Sequence, residues 1–336
     1  MNEHRSCDEL MQHLDALAEE LSGKKPDPSA EAIKKAKAYN TAFWDTMHTG
    51  MPQDTLKEGS DGTGGYLVPD TFEQKIISGL TEGNLLRRLG TTVQTNRTMR
   101  IPTANSDAEA TWIPENLSIP VSDVTYGEIV LNAYKLAHKV LVSDEMLEDA
   151  EFDLEDYIRQ LAVQALAEAE EKAFFCGDGN GKPLGIVHQA EVGVVSAQSN
   201  GICMDDMIEL LHSVELPYRR NGVWVVSENA YLMLRRLKDH NGQFLWRSGL
   251  SEDEPPTLFG CPIIANRQLD AVAPGSKPVL FGDFSYFWIG DRGKRVIKRL
   301  VERYADRGQV AYITSERVDA KLVLPEAVKV LEIKAE

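Results

Sequence analysis

The sequence predicts an α+β fold, and three observations carry that assignment. Apolar residues recur at helical spacing through one long acidic segment, 143–175. β-branched and aromatic residues repeat at roughly every second position through 91–142, and strand texture returns at the end of the chain. No regular strand–helix–strand repeat links these parts. With 336 residues, 43% of them hydrophobic and 26% charged, the chain is long enough for two modest cores, or one core with arms.

Ser6 and Glu9 form an S-x-x-E capping box for a first helix whose apolar stripe is Leu10, Leu14, Leu17 and Leu21, and Gly23 ends it. After the proline break at 24–28, a second helix is expected from Ser29. It carries Ile33, Ala36, Phe43, Trp44 and Met47 on one side, with Gly50 as its stop. Two amphipathic helices joined by a proline linker cannot bury their faces alone; they need a partner chain or the main body. The glycine-rich stretch 58–65 then has the composition of a flexible, easily cut linker.

Strand texture fills 91–142. Segments 91–95 and 98–101 read as one arm of a long hairpin, and 124–126 with 129–142 as the return arm. Between them, 102–120 is polar and punctuated by proline, so the tip has no core of its own and is expected to project. The next segment, 143–175, is the strongest helix. Asp153 suits its N-cap, Glu155 and Asp156 its first turn, and Leu154, Ile158, Leu161, Ala165, Ala169 and Ala173 its buried stripe. Eleven acids against two bases between 143 and 176 supply much of the net charge of −16. Such a run is either a solvated face or a surface that meets a basic neighbour. Arg292, Lys294, Arg295, Lys298, Arg299 and Arg303 form a basic strip that fits the second reading. Strands at 223–226, 263–265, 279–281, 322–324 and 328–333, with a helix at 228–238, complete the order.

The acidic balance argues against sequence-independent binding to a phosphate backbone. No apolar run approaches the roughly 18 residues that span a bilayer, and the N-terminus lacks a signal-peptide core, so a soluble, membrane-free chain is expected. Cys7, Cys176, Cys203 and Cys261 lie far apart and read as reduced, incidental thiols. The cluster Gly177-Asp178-Gly179-Asn180-Gly181-Lys182-Pro183-Leu184-Gly185 fails as a phosphate loop. Lys182 stands where the third glycine belongs, Pro183 stands where Ser or Thr must follow the lysine, and the cluster ends a helix instead of opening one. A turn closing the long helix is the better account. The seven histidines show no H-E-x-x-H or zinc spacing, and there is no G-x-S-x-G elbow. No catalytic, cofactor-binding or metal-binding residue is assigned, no cofactor is expected, and the chain is not read as an enzyme.

Five motifs in order resemble the tailed-phage major capsid proteins with the Hong Kong 97 fold: Gly64-Gly65-Tyr66-Leu67-Val68-Pro69; Phe174 through the glycine cluster to Ile186; Lys238-Asp239-His240-Asn241-Gly242-Gln243-Phe244-Leu245-Trp246; Leu258-Phe259-Gly260-Cys261-Pro262-Ile263; and Phe281-Gly282-Asp283-Phe284 with Ile289-Gly290-Asp291-Arg292. The resemblance implies a helical, scaffolding-like leader (1–58), an N-terminal arm (59–90) and an extended hairpin loop (91–142). It further implies a peripheral domain with a spine helix (143–185), an axial domain (186–291), further peripheral strands (292–320) and C-terminal strands returning to the axial domain (321–336). The implied partner is the chain itself, in hexamers and pentamers of an icosahedral shell enclosing double-stranded DNA. A phage protease, portal, scaffold or decoration proteins remain open as further partners. The implied assembly residues are Gly64, Gly65 and Pro69 in the arm, Trp112, Pro114, Glu115 and Pro120 at the hairpin tip, Gly177, Gly179 and Gly185 at the spine's end, and Arg292, Lys294 and Arg295 in the basic strip. The family's namesake welds subunits through a lysine–asparagine bond promoted by a glutamate. The matching positions here hold Ile119, Gly308 and Ser315, so a shell held by non-covalent contacts is expected. Two rivals stay open: a same-fold compartment for enzyme cargo, and a soluble enzyme with an acid/base site within 186–291.

Overall fold

A computed structural model describes residues 28–51, 60–61, 65–105, 125–148, 153–238, 241–246 and 256–335. The order begins with helix α1 (Pro28–Thr49), strands β1 (Ser60–Asp61) and β2 (Gly65–Leu67), and helices α2 (Asp70–Gly83) and α3 (Leu85–Leu89). Strands β3 (Thr91–Thr95), β4 (Met99–Asn105), β5 (Thr125–Leu131) and β6 (Tyr134–Ser143) follow, then α4 (Asp144–Glu148) and the long α5 (Leu154–Cys176). Next come α6 (Ile186–Gln189), β7 (Glu191–Val195), α7 (Met204–Ser213), α8 (Leu216–Arg219), β8 (Val223–Ser227), α9 (Glu228–Arg236), β9 (Thr257–Leu258) and β10 (Cys261–Asn266). The chain closes with β11 (Val279–Gly282), β12 (Phe287–Arg292), β13 (Val296–Leu300), β14 (Gln309–Leu322) and β15 (Val328–Glu332).

A six-stranded mixed sheet runs β7-β15-β11-β8-β10-β9. Its central strands β8 and β11 are continuous apolar runs, as strands covered on both faces must be, and Trp224, Val225, Val226, Val279, Leu280 and Phe281 are fully buried. The other large sheet is organised by β14. Strand β6 pairs with residues 309–318 of it, whereas β13 pairs with 311–315 and β12 with 318–322. Strands β12 and β13 therefore share one edge of β14, separated by a break at residues 293–295, and β6 takes the opposite edge. A small polar cleft at the break is lined by Asp291, Gly293, Lys294, Arg295, Glu316 and Arg317.

The long helix forms where expected, but it starts at 154, and a separate short turn, α4, precedes it. Asp153 Oδ1 accepts the Asp156 N–H at 3.0 Å, which satisfies one of the free donors at the helix start. The buried stripe is Leu154, Ile158, Ala162, Leu166, Glu170 and Phe174; Leu161, Ala165, Ala169 and Ala173 stand one position off it and are only half-buried.

The hairpin is shorter than the strand texture implied. Only β4 and β5 pair with each other, from Met99↔Leu131 to Asn105↔Thr125. Strand β3 instead runs parallel to β12, and β6 joins β14. Period-two texture identifies strands but not their partners. The second expected helix, which needed a partner chain or the main body, finds the main body: Ala42, Phe43, Trp44 and Met47 of α1 enter the same core as α2, α5 and β14. The first expected helix and the hairpin tip lie outside the described residues.

Asp153→Ala should lower stability by about 1 kcal/mol in urea unfolding, and Asp153→Asn should leave it nearly unchanged, because only the alanine variant loses the N-cap acceptor.

Candidate functional site

The most densely charged buried point lies where the arm, the long helix and the β14 sheet meet. Asn84 caps α3 by accepting the N–H groups of Leu86 and Arg87. Leu85 and Leu86 insert into the central core, and Arg87 turns inward with them. Its Nε and Nη2 donate to the two Glu170 oxygens at 2.7 and 2.6 Å, and its Nη1 and Nη2 donate to the two Asp291 oxygens at 3.0 and 2.8 Å. Arg87 is thus clamped by α5 on one side and β12 on the other. Its side chain is 1% exposed and that of Glu170 0%, so both charges have left water.

A second guanidinium extends the cluster. Gly293 takes a φ of +66° at the break between β12 and β13, and Arg295, two residues on, is buried there. Arg295 Nε donates to Glu316 of β14 at 2.8 Å, and the same guanidinium lies 3.7 Å from Asp291 and 3.9 Å from Glu73 of α2. Four carboxyls therefore share two guanidiniums. Burial, reinforced by the charge of Glu170, pushes the Glu316 carboxyl up to about 8, so it keeps its proton at neutral pH. Burial works against the charge on Arg87, but Glu170 and Asp291 hold that guanidinium protonated.

The β4–β5 hairpin is rooted beside this cluster. Leu131 is 1% exposed, Asp319 accepts the Asn132 N–H at 2.6 Å, and Arg292 Nη2 donates to Thr98 Oγ1 and to the Leu131 carbonyl. Burial raises the Asp319 carboxyl. The basic strip expected to face a neighbour is therefore largely occupied within the chain. Arg292 pins the hairpin root, Lys294 pairs with Asp70 at 2.5 Å, Arg295 is internal, and Arg299 donates to the His48 carbonyl. The acidic helix is partly used in the same way, through Glu170, through Glu155 with Lys75, and through Glu171, which accepts from Leu85 N–H and Asn266.

The stretch 177–185 is a closed turn. Gly177 N–H returns to the Ala173 carbonyl, Gly185 N–H to the Gly177 carbonyl, and Asp178 bridges Leu184. A Cβ on Gly177 would run into the Pro183 carbonyl, and one on Gly185 into that of Phe175, so close backbone approach demands glycine at both. Gly179 lies within the turn. Pro69 is the buried N-cap of α2, and Gly65 opens β2. Gly64, Trp112, Pro114, Glu115, Pro120 and Ile119 lie outside the described residues. Gly308 ends a short 3-10 turn, and Ser315 Oγ donates to the Val296 carbonyl.

Other groups are structural in character. Burial pushes the Cys176 thiol up to about 11 and raises those of Cys203 and Cys261, which keeps them from the thiolate form. Among the described residues no three His, Cys, Asp or Glu side chains are placed to hold a metal, and no helix is long and apolar enough to cross a membrane. The arrangement is a joint. Sequence reasoning missed Arg87, Glu73 and Glu316, and the one local signal was a glutamate standing on the apolar line of α5.

The sequence model of the phage capsid family matches residues 64–333. The chain is 26% identical over 247 residues to the major capsid protein of Klebsiella oxytoca phage phiKO2, covering 69% of this chain and 57% of that protein. It is 26% identical over 200 residues to the major capsid protein of Enterobacteria phage HK97, covering 59% of this chain and 48% of that one. The chain thus spans about half the length of the curated relatives it matches. Among solved structures, the capsid of a native GTA particle superposes with a TM-score of 0.67 at 24% identity, over 74% of this chain and 90% of that one.

Arg87→Met should cost about 3–5 kcal/mol in urea unfolding, because it leaves Glu170 buried without its counter-charge. Glu316 gives a pH signature. Its folded pKa is raised, so the unfolded chain releases a proton that the folded chain keeps, and stability falls as pH rises from the ordinary carboxylate range of about 4.3 to about 8. Melting temperatures of the parent and Glu316→Gln should coincide below that window and diverge in favour of the variant above it. Parallel profiles from pH 4 to 9 would contradict the assignment.

Proposed function

The chain belongs to the phage capsid family and has its Hong Kong 97-type α+β fold; from that premise we propose that it is the major capsid protein of a tailed double-stranded DNA phage or prophage. It acts by self-assembly into hexamers and pentamers that close an icosahedral head shell, first in the host cytoplasm and then as part of the virion. The observation that carries the reading is the family match over residues 64–333, on a chain whose β4–β5 hairpin has almost no core of its own. Among the hairpin positions with described side chains, only Ile101 and Leu131 are buried. A projecting two-stranded ribbon is marginal in water and gains from lying on a neighbour.

On this reading the chain does no chemistry, takes no cofactor and encloses DNA without reading its sequence. Its net charge of −16 suits a container that must not adhere to packed phosphate. Gly64, Gly65 and the tip residues Trp112, Pro114, Glu115 and Pro120 are the positions proposed to contact neighbours, and Pro69, buried at the start of α2, acts indirectly by directing the arm. Gly177, Gly179 and Gly185 act indirectly, by shaping the end of the long helix. Of the basic strip, Arg292 and Lys294 act through the hairpin root and the arm, and Arg295 acts through the joint. A protease, portal, scaffold or decoration protein would act on or beside this shell.

Electron microscopy of the purified full-length protein, with intact mass on the same sample, tests the proposal. Uniform shells or hexameric rings are expected. A chain that stays monomeric or dimeric even with scaffold and protease supplied would overturn it.

A further inference from the structure

Two helices on one side of the six-stranded sheet carry exposed stripes of opposite charge. Helix α7 buries Met207 and Leu210, and α9 buries Ala230 and Leu234, in the same core. Helix α7 lies on β7 and β15, whereas α9 lies on β8 and β10, so β11 separates their seats and they sit toward opposite ends of the sheet. The outward positions of α7 are Asp205, Ile208 and Glu209, spaced i, i+3 and i+4. Those of α9 are Leu232, Arg235 and Arg236, at the same spacing. Ile208 is 39% exposed and Leu232 52%. Each line has one exception at its end: Glu228 starts that of α9, and His212, with its ring against the Arg219 guanidinium, closes that of α7.

Helix dipoles explain part of this pattern. Asp205 stands in the first turn of α7, and Arg235 and Arg236 in the last turn of α9, where each charge meets the helix end that favours it. Dipoles do not explain Glu209 in the body of α7, or the two aliphatic side chains set among the charges. Unlike the basic strip of the joint, these charges are not used within the chain. Asp205, Glu209 and Arg236 enter no ion pair among the described residues. Beyond α9 the patch widens: Lys238 lies over the Phe244 ring at 4.9 Å, and Phe244 and Leu245 are each half-exposed. Apolar side chains within a charged rim have the anatomy of a protein–protein contact.

We infer that the acidic stripe of α7 docks on the basic stripe of α9 in a second copy of this chain, with Ile208 and Leu232 meeting at the centre. The choice of a second copy rests on the capsid reading. Neither stripe can pair with itself, because that would bring like charges together. The contact therefore joins two different surfaces, head to tail, and repeats around a ring when the rotation between copies closes. Charge complementarity then sets which edge meets which, and the apolar pair supplies the desolvated centre.

Charge reversal in the full-length chain tests the inference, with rings and shells counted by electron microscopy and native mass. Glu209→Lys and Arg236→Glu should each lower ring yield about tenfold at the parent's concentration. Both positions are exposed, so each variant should unfold at the parent's urea concentration. The double variant, Glu209→Lys with Arg236→Glu, should regain most of the yield. An equimolar mixture of the two single variants should form six-membered rings in which they alternate, but no five-membered ones, because an odd ring must contain a like-charged contact. A parent that forms shells while both single variants match its yield, or a double variant no better than the singles, would overturn the inference and leave the capsid reading standing. A parent that stays monomeric with scaffold and protease supplied would overturn both.

Discussion

The clamp of Glu170 and Asp291 around Arg87 is the constraint on which the rest of the structure depends. Arg87 comes from a five-residue helix in the arm, Glu170 from the C-terminal half of the longest helix, and Asp291 from the strand that ends at the sheet break. Arg295, Glu316 and Glu73 then bring in the break itself, β14 and α2. A buried ionic cluster adds little net stability over an apolar core of the same shape, but it tolerates only one arrangement. Six segments from four separate stretches of the sequence are thereby fixed relative to one another. The hydrophobic cores on either side supply the driving force, and the cluster supplies the geometry.

That fixed joint gives the peripheral elements something to project from. The β4–β5 ribbon leaves the body where Leu131, Asp319 and Arg292 hold its root, within a few residues of Asp291. The arm enters beside it through α2 and α3. On the proposed capsid reading, a ribbon laid on a neighbour at a set angle needs a stiff root more than a stiff tip. The basic strip expected to pair between subunits is largely consumed within the chain, in this root and the joint.

What could be read from the sequence was local. Asp153 marked the start of α5 because an N-cap needs only its own next turn. The glycines at 177 and 185 were legible as a turn because backbone approach leaves no other residue type. The strands β8 and β11 were legible because they are short apolar runs buried on both faces. The joint was not legible, since Arg87 lies 83 residues from Glu170 and 204 from Asp291. A lone arginine after Leu85-Leu86 reads as an exposed helix residue until its partners are known. Glu170 was counted in an acidic run read as a solvated face or a surface for a basic neighbour, although it sits on the line of Ile158, Ala162, Leu166 and Phe174. Strand partners failed for the same reason: β3 and β6 were recognised as strands, but pairing with β12 and β14 is decided by contacts nearly two hundred residues away.

The most direct test of the joint is a double-mutant cycle on Arg87→Met and Glu170→Leu, read by urea unfolding of the full-length chain. If the pair acts as one buried unit, each single variant leaves an unpaired charge. The double variant then loses far less than the sum, with a coupling of about 2–3 kcal/mol. Additive losses within about 0.5 kcal/mol would mean that the two side chains act independently, and the account of a single ionic joint would fail.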